Sequence, residues 1–152
     1  MALDPMVQRL ESEGLGILLE SPQRGPALPR GDDPRAQPHA LRFCSDRDSM
    51  TALRGVLFQH PELLDGADVA MPVVGLAAAY LLIIGKVGRV YTRSMSHQAR
   101  SALNEEGIEH SAGNYVRKLP ERALTGFADL ERRARSAVTA QAFLDELKRL
   151  RG

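Results

Sequence analysis

The chain has 152 residues, room for one domain with a real core, and its 20 basic and 19 acidic side chains leave a net charge of +1. So balanced a surface excludes a global field that would gather nucleic acid or an anionic membrane. The lone Cys44 excludes an internal disulfide and every two-cysteine zinc knuckle, and fits a reducing compartment.

The first residues, MALDPMVQRLESEG, carry charge where an export signal needs an apolar run, which points to a soluble cytoplasmic protein with no membrane partner. Asp4 and Pro5 open a short helix whose Met6, Val7 and Leu10 form an apolar stripe ending before Gly14. The residues Gly16–Glu20 read as a strand. Between 21 and 39 prolines recur at 22, 26, 29, 34 and 38, a composition that predicts a mobile loop. Ala40–Cys44 alternates as a second strand, making that loop an oversized hairpin connection. Ser45–Asp48 offers helix caps ahead of Met50, Leu53, Val56 and Leu57, whose spacing predicts an amphipathic helix to Gln59.

After the breaker HPELLDG, residues 67–70 form a short strand feeding the central element. Pro72 suits the first turn of a helix through Val73, Val74, Ala77, Ala78, Leu81, Leu82 and Ile84, apolar around most of its circumference. Gly85 is placed as its left-handed stop. Gly75 and Ala77–Ala79 are small, either for close helix-to-sheet packing or for a ligand at the helix N-terminus, where free N–H groups favour an anion. Arg89–Ser94 is the next strand, and Ser96 caps a helix through Glu106. Gly107 takes the left-handed position and Ile108 touches Leu103 in a Schellman ending. Ile108–Ala112 and Tyr115–Leu119 are further strands, and short strand–helix–strand links require parallel crossovers. Thr125–Arg135 is a charged helix, and Thr139 caps a last one with Phe143, Leu144, Leu147 and Leu150 in one stripe.

Few residues carry chemistry. His60-Pro61-Glu62 matches half of the zinc nucleobase deaminase signature, but its P-C-x-x-C half is missing and Cys44 lies upstream. His97 and His110 sit at opposite ends of one predicted helix, so they do not form a metal pair. There is no G-x-S-x-G elbow and no G-x-x-x-x-G-K-[ST] loop. Arg132, Arg133 and Arg135 are interleaved with Asp129 and Glu131, the pattern of a solvated, salt-bridged helix face. These counts leave no catalytic residues, no metal site and no cofactor to assign.

The order of elements, with Ala70, Val73, Val74, Gly75, Ala77, Ala78, Ala79, then Val90-Tyr91 and Glu106-Gly107-Ile108, resembles a bacterial and archaeal family of unknown function, DUF1893, described as cytidine-deaminase-like without the zinc motif. A later family segment similar to N-R-D-G-T-G-x-C-P-x-E is echoed by Arg122, Thr125, Gly126 and Glu131. Met71, Pro72 and Leu76 stand where that family has Asp, Lys and Lys, and Glu121, Ala123, Leu124 and Ala128 replace its Asn, Asp, Gly and Cys. The resemblance implies a three-layer α/β/α fold around a central mixed sheet: an N-terminal helix over residues 1–14, then a single domain over 15–152. It also implies a divergent member binding a nucleotide or other small ligand without zinc chemistry. The ligand residues would be Gly75 for close approach, Arg122 for an anion, and Thr125 with Gly126 for a hydroxyl and an N–H, with Arg93 a further candidate. The alternative is a homodimeric interaction module with no ligand site.

Overall fold

The computed structural model describes residues 5–21, 41–119 and 128–151. Among the described residues five strands form one mixed sheet in the order β2-β1-β3-β4-β5: β1 Ile17–Glu20, β2 Leu41–Ser45, β3 Asp68–Val74, β4 Arg89–Ser96 and β5 Glu109–Val116. Among the described residues six α-helices accompany them: α1 Pro5–Ser12, α2 Ser49–Gln59, α3 Leu76–Gly85, α4 His97–Glu105, α5 Ala128–Ala137 and α6 Ala140–Arg151. β1 is antiparallel to both neighbours, whereas β3, β4 and β5 are mutually parallel. The end of β2, the start of β1 and the end of β3 therefore meet at one end of the strands, where Ile17 pairs with Ser45 and Leu18 with Ala70.

Strand alternation divides the core between two faces. Ile17, Leu19, Val69 and Met71 face the large helical layer. Leu18 and Ala70 face α1 through Met6 and Leu10, with Tyr91 against them. Both faces of β1 are covered, so all four of its residues are buried. α3 is buried from Leu76 through Leu82 because α2, α4, α5 and α6 all pack on it. Burying each leucine there contributes roughly 1.5–3 kcal/mol. The ring of Phe143 on α6 lies 5.9 Å from that of Tyr80. No described helix is long and apolar enough to cross a membrane.

Several boundaries differ from the sequence expectation. Pro72 does not open a helix: it lies inside β3, and α3 starts at Leu76 after Gly75. β1 pairs with β3 only as far as Ala70, and the β3–β4 ladder skips Pro72, so the missing N–H falls where no partner needs it. Gly85 is the last helical residue, and the left-handed position belongs to Lys86, with φ 62°. A side chain on Gly85 would lie 2.7 Å from Cδ1 and 3.0 Å from Cβ of the fully buried Leu64, so this glycine serves packing. The two strands expected at 108–112 and 115–119 are one, β5, because β4 is eight residues long and pairs along the whole of it.

Other expectations hold. α4 ends with Gly107 at φ 71°, and the Ile108 N–H donates to Leu103 O at 3.0 Å, the Schellman pattern. Ser96 and Thr139 accept the capping bonds of α4 and α6 from the N–H groups of Ala99 and Ala142. Of the caps offered by Ser45–Asp48, Asp48 is the one that caps α2. The proline-rich segment 22–39 lies outside the described residues.

Candidate functional site

A cleft of about 290 Å³ opens at the end of the sheet where β1 begins and β2 and β3 end. Its walls come from Gly14–Gly16 ahead of β1, Asp46–Met50 after β2, and Pro72, Val73 and Gly75 at the end of β3. Ala77 and Ala78 of α3 form the floor, and Glu131 reaches in from α5. Open sheets bind ligands outside the carboxyl ends of parallel strands, which is the position of this cleft.

Small residues and local bonds hold it open. The loop after β2 lies directly on Gly16, where any side chain would overlap the Arg47 carbonyl. The Gly16 N–H donates to Ser45 O at 2.8 Å, and the Ser49 hydroxyl donates to Gly16 O at 2.7 Å. Asp48 is exposed and bonds locally: its Oδ1 accepts from the Thr51 N–H at 2.9 Å and its Oδ2 from the Thr51 hydroxyl at 2.8 Å. Arg47 and Asp46 are exposed at the rim.

The N-terminus of α3 is the most polar part. Gly75, its N-cap, has no side chain to satisfy the first N–H groups. Glu131 does so from 55 residues away: Leu76 N–H donates to Oε2 at 2.8 Å and Ala77 N–H to Oε1 at 3.0 Å. A carboxylate here is favoured by the free N–H groups and by the helix dipole. Gly75 is what lets it in, since a Cβ would sit 2.7 Å and 2.9 Å from the two carboxylate oxygens. The anion position expected of a ligand is therefore filled by the protein's own side chain.

Glu131 is 4% exposed, which corrects its assignment to a solvated face. Arg133, two positions on, pairs instead with Asp129 at 2.9 Å and with Glu146 at 2.8 Å, and Arg132 pairs with Asp129. Sequence reasoning missed Glu131 as a cap because nothing local to α3 announces a partner so distant. The one signal was its match to the final glutamate of the family segment.

Of the residues singled out in advance, Gly75 lines the cleft. Arg93 does not: it lies on the α1 side of β4 in an ion pair with Glu11 at 3.3 Å. Arg122, Thr125 and Gly126 lie outside the described residues. His60 and Glu62 face each other at 3.4 Å on an exposed turn, both more than 60% exposed. Among the described residues no three His, Cys, Asp or Glu side chains converge as a metal site. Cys44 is half-buried near Leu18, against the α1 cluster. The cleft lining contains no histidine or cysteine, and its one serine hydroxyl is committed to Gly16 O.

The model of the family described as "Domain of unknown function (DUF1893)" matches residues 38–148. Among solved structures, the chain is similar to a DUF1893 family protein from Thermotoga maritima. Identity is 16%, the TM-score 0.70, and the match covers 96% of this chain and 90% of that one, a likeness that establishes the shared fold. No curated protein matches the chain.

Proposed function

The chain belongs to the DUF1893 family, a domain of unknown function, and from that premise we propose that it is a noncatalytic small-molecule-binding domain of cytidine-deaminase-like arrangement. Its ligand sits in the cleft beside Gly75 and Glu131. The observation that carries the reading is the occupied N-terminus of α3: the cleft is preformed at the carboxyl end of β3, yet its anion position already holds Glu131. A ligand there gains nothing from a phosphate, so nucleosides and other uncharged or donor-bearing heterocycles fit better than nucleotides. The deaminase-like arrangement rests on the sequence words shared with the family. The cleft lining offers no nucleophile with an adjacent base, which supports binding rather than turnover.

A thermal-shift comparison tests the reading. Cytidine and adenosine should raise Tm by a degree or more at millimolar concentration, as mass action requires of any ligand of the folded state, and their 5′-monophosphates should do no better. Monophosphates that stabilise far more than the nucleosides would place an anion site elsewhere. A second reading, a homodimeric module, is favoured by β5, an eight-residue strand that among the described residues pairs with β4 alone and so presents a free edge. A concentration-independent monomer mass by light scattering would remove it.

A further inference from the structure

Resting on that reading of the cleft, we propose that Glu131 is its recognition group and that the ligand is a compact planar compound with two N–H donors on one carbon, the class of amidines, guanidines and amino-azaheterocycles. The Glu131 carboxylate is buried yet borders the cleft. Each of its oxygens accepts one backbone N–H, from Leu76 and from Ala77. A carboxylate oxygen has two acceptor sites, so one remains on each. Two oxygens side by side match two N–H groups on one carbon, the bidentate geometry that makes charge-assisted pairs strong and selective.

The surroundings favour the same class. No arginine, lysine or histidine reaches Glu131 among the described residues, and its neighbours Arg132 and Arg133 turn to Asp129 and Glu146. Toward the described residues this buried carboxylate keeps its charge unpaired, and a donor-rich or cationic ligand complements it. The lining holds the acids Asp46, Asp48 and Glu131 against one base, Arg47, so an entering anion meets a wall of its own sign. Pro72, Val73, Ala77 and Ala78 supply apolar surface for the flat side of a ring.

The test uses the full ¹⁵N-labelled chain and two probes of one shape, benzamidine and benzamide. Benzamidine offers two donors to the carboxylate, whereas benzamide turns a carbonyl oxygen towards it. Benzamidine should move the amide resonances of Leu76 and Ala77 and saturate at a concentration roughly tenfold or more below that of benzamide, the value of one charge-assisted hydrogen bond. Glu131→Gln, if folded by circular dichroism, should lose that preference. Because this substitution also weakens the cap of α3, the wild-type comparison decides if the variant does not fold. Equal affinity for the two probes, or a preference kept in folded Glu131→Gln, overturns the assignment of Glu131 while leaving the cleft reading standing. Benzamidine shifts confined to amides outside the cleft overturn it as well. Silence of the cleft amides to both probes and to cytidine removes the cleft reading together with it.

Discussion

Gly75→Ala isolates the contact on which the site is built. The backbone at Gly75, φ −99° and ψ −173°, is open to any residue, so the substitution introduces no backbone strain. Its entire effect comes from the new methyl group, placed 2.7 Å and 2.9 Å from the oxygens of Glu131 and 3.0 Å from its Cδ. The carboxylate must withdraw, and two hydrogen bonds to a charged group are strained or lost. Each is worth about 1.5–3 kcal/mol, and loss of a cap alone costs about 1 kcal/mol. Replacing glycine stiffens the unfolded chain and returns about 0.4–1 kcal/mol. The net is a destabilisation of about 2–4 kcal/mol, or roughly 5–12 °C in Tm for a chain of this size. Urea melts measure it directly. Gly55→Ala is the control, since a Cβ on that α2 residue meets nothing within 4 Å and should add about 0.5–1 kcal/mol. In a Glu131→Ala background the Gly75→Ala cost should largely disappear, because the two changes act on one contact. A Gly75→Ala protein as stable as the wild type would refute the account of this site.

Three further outcomes follow from the geometry. Lys86 at φ 62° and Val138 at φ 69° occupy left-handed backbone, and Val138 is 75% exposed. Lys86→Gly and Val138→Gly should therefore each stabilise by about 0.5–1 kcal/mol, read as a higher urea midpoint. One position earlier the sign reverses: Gly85→Ala drives a methyl into Leu64 and should cost about 1–3 kcal/mol, so a neutral Gly85→Ala would show that Leu64 yields freely. His110 accepts from the Tyr115 hydroxyl at Nδ1 and bonds Asn104 Oδ1 through Nε2, and its pKa is lowered by burial and by Arg100. The folded histidine holds its proton less tightly than an unfolded one. Its stabilisation is thus complete above about pH 6.5 and declines as the pH falls below that value. The urea midpoint should drop less between about pH 7.5 and about pH 5.5 in His110→Gln than in the wild type, and an equal drop would exclude His110 as the source.

Local chemistry made much of the fold legible. Ser96, Gly107 and Ile108 announced both ends of α4 because capping and Schellman bonds are made within a few residues. The same logic misled at Pro72 and Gly85. Proline fits a first helical turn and glycine a left-handed stop, but here the sheet pairing of β3 and the volume of Leu64 decided their roles. Lys86 and Gly107 end their helices with the same bond pattern, showing that a strained lysine is tolerated where packing reserves the preceding glycine. The candidate site was half legible. The sequence put Gly75 inside a helix opened by Pro72 and weighed close helix-to-sheet packing against a ligand there, whereas Gly75 is the N-cap and the group that approaches it is Glu131 from α5. Gly16 and the Asp46–Ser49 turn were invisible as cleft walls because only the β1–β2–β3 register brings them beside Gly75.

The most direct test of the central claim is a ¹H–¹⁵N NMR titration of the full chain with cytidine and with cytidine 5′-monophosphate. The account predicts saturable shifts at the amides of Gly16, Ser49, Leu76 and Ala77, with the monophosphate binding no more tightly than the nucleoside. Shifts confined to other surfaces, or a monophosphate that binds the same amides far more tightly, would contradict it.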